Sequence, residues 1–135
     1  MPNGNIHNIA GGFCGVLTYV MLQNNSNLKE EVKIEEIIFA LCTGVGTARI
    51  PDMLEPPIHP NHRAFFHSLV FGGITGFVGV RAWKDLQFRR QERISLGKQQ
   101  WSFNEFVDIA IIIASGSVLL HLIMDGFTPK GLTVV

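Results

Sequence analysis

Apolar residues are concentrated in four long segments of the chain, and polar connections separate these segments. The four segments cover residues 6–22, 34–48, 63–83 (with a charged continuation to residue 93) and 102–125. None of them alternates apolar and polar positions with a period of two, and their lengths favour helices over strands. The pattern predicts an all-α fold in one domain, residues 1–135, arranged as a compact four-helix bundle.

Residues at the segment ends support these boundaries. Ser102 precedes the fourth segment and Glu105 follows three positions later, which is the pattern of a capping box. The second segment stops before Pro51, and we expect residues 51–61 to form a proline-rich loop. Pro129 ends the last segment.

Composition favours a membrane-embedded bundle over a soluble one. Charged residues make up 16% of the chain and hydrophobic residues 47%, whereas soluble domains carry roughly 25% charged residues. Glycines such as Gly11, Gly15 and Gly44 recur inside the apolar segments. Each costs a soluble helix about 1 kcal/mol relative to alanine, but small residues let membrane helices approach closely. Tight packing in a soluble, cytoplasmic bundle is the alternative.

The segment lengths leave open how the helices would meet a bilayer. A spanning helix needs about 20 apolar residues, and only the third and fourth segments come close to that length. The end of the third segment and the loop after it carry an excess of basic residues, which favours the cytoplasmic side if the helices span. These residues are Arg81, Lys84, Arg89, Arg90, Arg93 and Lys98.

The net charge, the cysteines and the first residues of the chain each bear on one further property of the protein. Lysine plus arginine (11) balance aspartate plus glutamate (11), so nucleic acid is not indicated as a ligand. Cys14 and Cys42 lie in apolar stretches without metal-ligand spacing, and we expect two small buried side chains, with a disulfide left open. The first residues lack a positive region before the apolar stretch, so no cleaved signal peptide is expected.

An up-down-up-down bundle would gather the chain's histidines at one end. In that topology the start of the chain, the proline-rich loop and the end of the fourth helix share an end. Imidazole and carboxylate groups together suit zinc, manganese or iron, so the pattern predicts one or two divalent ions there. The residues at this end are His7, Asp52, Glu55, His59, His62, His67, His121 and Asp125.

Each candidate also has a simpler interpretation. His121 and Asp125 are four residues apart and share a helix face, but such a pair also occurs as an ordinary helix-end contact. His67, expected inside the third helix, could be a buried histidine bonded to backbone. Arg63 at the start of that helix could bind a phosphate oxygen or form a salt bridge with an acidic residue of the loop. His59 is the histidine that is least expected to take part in the site.

The combined motifs resemble a known family. An N-terminal histidine, PDMLEPPIHPNHRAFFHS at residues 51–68 and HLIMDGFTPKG at residues 121–131 resemble a bacterial and phage family of inner-membrane-associated metal-dependent hydrolases. That family is distantly similar to the zinc-dependent phospholipase C and single-strand nuclease group. The resemblance implies metal ligands at His7, Asp52, His67, His121 and Asp125, with catalytic roles for Glu55, His62 and Arg63. It also implies that Thr128 and Gly131 shape the closing turn.

One departure affects the predicted metal centre. Relatives often carry a second Asp-His pair after the PD motif, whereas this chain has Met53, Leu54 and Glu55. If Glu55 does not replace the second acid, one metal position would be weakened or lost.

The leading functional hypothesis is a phosphoester hydrolase of the bacterial inner membrane. Water bound to a divalent metal becomes a usable nucleophile near neutral pH, and the substrate would be a small-molecule or lipid phosphoester. The alternative is a non-catalytic membrane protein whose bundle end is held together by metal. A third hypothesis is a plain bundle whose histidines bond one another. An oligomer is compatible with each.

Overall fold

A computed structural model of the protein describes residues 4–24, 31–54 and 66–127. Within these ranges the chain forms four long helices and one short helix, without strands, so the predicted all-α fold is confirmed. The helices are α1 (Gly4–Asn24), α2 (Ile34–Thr47), α3 (Ile50–Leu54), α4 (Leu69–Ser95) and α5 (Phe103–Gly126).

Two antiparallel helix pairs build the bundle. In the α1–α2 pair, Gly11 faces Ala48 while Gly15 faces Ala40, so the two helices run in opposite directions. In the α4–α5 pair, the start of α4 lies against the end of α5, and Arg89 near the end of α4 reaches Asp108 near the start of α5. The helices α1 and α5 pack together and join the pairs. The arrangement is the predicted up-down-up-down bundle.

Apolar side chains occupy both the buried core and the outer surface of the bundle. The core consists of Tyr19, Leu22, Ala40, Leu86, Ile109 and Ile113. Large apolar side chains also cover the outside of every long helix, as expected of a surface that contacts lipid rather than water. Examples are Ile9, Phe13, Ile38, Phe77, Val80 and Ile123.

The structure corrects two predicted segment ends. Residues 51–54 were expected in a loop but lie in α3, because a proline in the first turn of a helix lacks only an N–H that would be unpaired anyway. The third helix was expected from Arg63 with His67 inside it, but α4 begins at Leu69. Ser68 caps that helix by accepting a hydrogen bond from the backbone N–H of Phe71 at 3.1 Å.

The lengths of the apolar helices also differ from expectation. In the described parts of the chain, Ile34–Leu54 and Phe103–Gly126 are long and apolar enough to cross a membrane. The second segment was expected to be too short, and α3 adds the missing length. The helix of the third segment, α4, is long enough to cross a membrane but not apolar enough, because its last part carries charged residues.

The predicted burial of the cysteines is wrong for one of them. Cys42 is exposed on α2, while Cys14 is partly buried beside Gly116, and both thiols are free. Cys42 lies on the outer face of an apolar helix, where lipid rather than protein would surround it.

The predicted capping box at the start of α5 is present. Ser102 Oγ accepts from the backbone N–H of Glu105 at 3.3 Å, and the Glu105 carboxylate accepts from the backbone N–H of Ser102 at 2.7 Å. We expect Ser102→Ala to lower the free energy of unfolding by about 1 kcal/mol, measured by denaturant titration in detergent. Ser95→Ala, which removes an exposed hydroxyl at the end of α4, is the matched control and should change little. Equal losses would show that the cap contributes nothing.

Candidate metal centre

Four potential metal ligands meet at one end of the bundle. Asp52 comes from α3, His67 from the residue before the cap of α4, and His121 and Asp125 from the last two turns of α5. One nitrogen or carboxylate oxygen from each side chain lies within 4.8 Å of the others. We call these four residues the donor group. The antiparallel pairing brings them together, because the end of α3, the start of α4 and the end of α5 share one end of the bundle.

Two carboxylate oxygens and two imidazole nitrogens face one another in the donor group. His67 Nε2 lies 3.2 Å from Asp52 Oδ1 and 3.4 Å from Asp125 Oδ2. His121 Nε2 lies 3.5 Å and 3.3 Å from the same two oxygens. The two nitrogens and the two oxygens therefore alternate around a common centre. The nitrogens face carboxylates rather than one another, so the geometry does not favour histidines bonded to each other.

His121 shows that the donor group suits a cation. Its ring is buried, and within the described residues neither of its nitrogens makes a well-aligned hydrogen bond, although Nε2 is close to two carboxylate oxygens. A buried polar atom without a partner is costly. A cation between Nε2 and the two carboxylate oxygens would bind all three of these atoms. Imidazole with carboxylate is a ligand combination of zinc, manganese and iron sites.

His7 lies beside the donor group. Its ring stacks on that of His121 with centroids 4.2 Å apart, and its Nε2 is 3.8 Å from Asp125 Oδ1. Asp125 therefore turns one oxygen toward the donor group and the other toward α1. His7 is therefore the neighbour of Asp125 on the side of α1. Its role as a metal ligand stays a prediction.

Burial differs across the donor group. The side chains of His67, His121 and Asp125 are almost fully buried, whereas that of Asp52 is 43% exposed. The open side of the group is therefore the side of Asp52. A site that only holds a structural ion is closed by protein ligands, whereas a catalytic site keeps a position for water or substrate.

The remaining site predictions fall outside the described residues. The predicted catalytic residues Glu55, His62 and Arg63 belong to residues 55–65, as does the bystander His59. The turn residues Thr128 and Gly131 follow the last described position. The structure brings four of the five predicted metal ligands together in the donor group and places His7 beside it, and it leaves the catalytic assignments as predictions.

A second polar cluster at the opposite end of the bundle was missed from the sequence. The buried guanidinium of Arg90 donates to the Leu22 carbonyl oxygen at 2.9 Å and to Gln23 Oε1 at 2.7 Å. Arg93 Nε donates to Glu105 Oε1 at 2.9 Å. We call this set the distal polar cluster: Tyr19, Gln23, Glu36, Arg90, Arg93 and Glu105, in which the hydroxyl of Tyr19 also contacts Glu36. Its only sequence signal is Arg90 and Arg93, one helical turn apart.

An open cavity of about 640 Å³ adjoins the distal polar cluster and not the donor group. Its lining mixes acidic and basic side chains, including Lys33, Glu36 and Arg93, with the ring of Trp101. No residue of the donor group lines it.

Comparisons with known proteins agree with the membrane features of the structure. Neither the curated proteins nor the solved structures contain a match. A family model described as YdjM inner membrane protein matches residues 1–135. The description names a location and no activity, so it confirms the predicted inner-membrane location and leaves the hydrolase relationship as a hypothesis. Because the match covers the whole sequence, the chain belongs to the YdjM inner membrane protein family.

Proposed function

We propose that the protein is a metal-dependent hydrolase of the inner membrane that acts on phosphoester bonds. The observation that carries the proposal is the donor group: two histidines and two aspartates from three separate parts of the chain, with one ligand atom each within 4.8 Å. A bare cluster of this kind is unfavourable in an apolar bundle, because buried ionisable groups need partners or a metal.

The donor group has the chemistry of a divalent-metal site. Asp52, His67, His121 and Asp125 would hold the ion, with zinc as the first candidate and manganese or iron as alternatives. A divalent ion supplies Lewis-acid polarisation of a phosphoryl oxygen and acidifies water. The two aspartates carry the negative charge that offsets the ion's charge, and burial of three of the four ligands limits competition from water.

The exposed edge at Asp52 supports a catalytic rather than a closed site. Substrate would approach from that edge, because the other three ligands are covered by helices. Arg63 would neutralise charge on the phosphoryl group, and Glu55 or His62 would transfer protons, as the sequence predicts. His7 would keep Asp125 oriented through its second oxygen.

A non-catalytic role is the second candidate, because the donor group ties several helices together. An ion held there would join the ends of α3 and α5 to the start of α4, and it would stabilise the bundle as structural metals do. The two roles differ in one measurement. Hydrolysis of bis(4-nitrophenyl) phosphate or of phospholipid that stops with a chelator supports the enzyme, whereas a chelator that lowers only the unfolding temperature supports the structural role.

Metal content of the purified, detergent-solubilised protein tests the donor group directly. We expect about one divalent ion per chain in the parent protein and a loss of at least tenfold in metal affinity in Asp125→Asn and His121→Gln. Asp125→Asn preserves the size of the side chain and removes the charge that a cation needs.

Asp85→Asn is the matched control for this measurement. Asp85 lies on α4, pairs only loosely with Arg81 at 3.6 Å and is distant from the donor group in the fold, so its variant should retain the metal. Circular dichroism and gel filtration would show that each variant is folded. Full metal content in folded Asp125→Asn and His121→Gln would remove both residues from the site and defeat the proposal.

A further inference from the structure

The two ends of the bundle differ in charge as well as in chemistry. One end contains the donor group, and among the described residues Arg49 is the only lysine or arginine near it. The other end carries the distal polar cluster and most of the described basic residues, which are Lys33, Lys84, Arg89, Arg90, Arg93 and Lys98. Lysine and arginine close to membrane helices are retained on the cytoplasmic side, whereas acidic residues have little influence.

The helix directions fix which groups share a side of the membrane. Both candidate spans, Ile34–Leu54 and Phe103–Gly126, begin at the basic end and finish at the donor group. The chain must return between them, and α4 runs in the opposite direction along α5. With 24 residues, α5 is about 36 Å long, enough to cross a hydrocarbon core of about 30 Å. If these candidate spans cross the bilayer, the two ends lie on its opposite sides.

We infer that the donor group opens on the periplasmic face of the inner membrane. The basic end lies in the cytoplasm, and the exposed edge at Asp52 faces the other side. Metal ions and substrate would then reach the donors without crossing the membrane. The part of this inference that concerns substrate access rests on the proposed function. The orientation of the protein in the membrane depends only on the fold and on the positions of the charged residues.

Labelling of an introduced cysteine from one side of the membrane tests the orientation. Met53→Cys places a thiol next to Asp52, where the native side chain is 73% exposed, and Gln99→Cys places one in the exposed α4–α5 connection. A membrane-impermeant maleimide is added to cells whose outer membrane alone is permeabilised, and again after the inner membrane is disrupted. The parent protein gives the background from Cys14 and Cys42.

We expect Met53→Cys to react fully in cells with an intact inner membrane. Gln99→Cys should react at least tenfold more after disruption than before it. The reverse pattern, reaction of both variants from outside, or no reaction of Met53→Cys until disruption would overturn the inference. Leu54→Cys and Gln100→Cys form a second pair at exposed positions, should one of the first variants fail to fold.

The metal measurement separates this inference from the proposed function. A reversed labelling pattern with normal metal content would refute the orientation alone. Expected labelling in a protein that binds no zinc, manganese or iron would refute the metal site and leave the orientation standing.

Discussion

Arg90→Met is expected to destabilise the protein by about 2–4 kcal/mol, because two buried acceptors lose a charged donor. The Arg90 guanidinium is fully buried, donates to the Leu22 carbonyl oxygen and to Gln23 Oε1, and lies 5.7 Å from the ring centre of Trp101. Methionine fills much of the space of the arginine stem but donates no hydrogen bond. The carbonyl at the end of α1 would then be buried without its partner.

The free energy of unfolding is measured for the protein in detergent by titration with a denaturing detergent. Circular dichroism reports the loss of helix during the titration. Arg81→Met is the control on the same helix, because Arg81 is 72% exposed and its ion pair with Asp85 is 3.6 Å long. An exposed pair of this kind contributes about 0–1 kcal/mol. Equal losses in the two variants would mean that the distal polar cluster does not stabilise the bundle.

Gly44→Leu is expected to separate α1 from α2 and to cost about 3 kcal/mol or more, because the two backbones are in contact at this position. A Cβ atom on Gly44 would overlap the carbonyl oxygen of Gly11 and would lie 3.1 Å from the Cα of Gly15. Both neighbours are backbone atoms and cannot turn away. The helices themselves would have to move apart.

Gly46→Leu is the matched control two residues further along α2. Nothing lies within 4 Å of a Cβ built on Gly46, and leucine has the higher helix propensity, so this variant should be as stable as the parent or slightly more stable. Stability is measured as for Arg90→Met. Metal content gives a second measurement, since α1 carries His7 and α2 leads into α3 with Asp52. A Gly44→Leu variant with parental stability would show that the close approach is not required.

Helix positions and the gathering of histidines could be predicted because both depend on local pattern and chain direction. Ser102 and Glu105 marked the start of α5 correctly, since a capping box involves only neighbouring residues. The meeting of His67, His121 and Asp125 follows from up-down topology alone, without knowledge of any side-chain contact.

The features that sequence reasoning missed depend on local exceptions or on packing between distant helices. Pro51 was interpreted as a helix breaker, but a proline is compatible with a first helical turn, and α3 places Asp52 on a helix. Arg89 and Arg90 are adjacent in a charged stretch, yet only Arg90 is fully buried. That difference arises because the Arg90 side chain reaches Leu22 and Gln23 at the end of α1, a contact between distant parts of the chain that neither helix's own sequence reveals.

The separation of the four donors along the chain has a consequence for biogenesis. Asp52 and His67 are synthesised well before His121 and Asp125, and only the finished last helix supplies the second histidine and the second carboxylate. A nascent chain that still lacks α5 holds half of the ligand set, too few for tight retention of an ion. Under the proposed function, a metal ion would therefore bind only after α5 is inserted, and its binding would mark a completely assembled bundle.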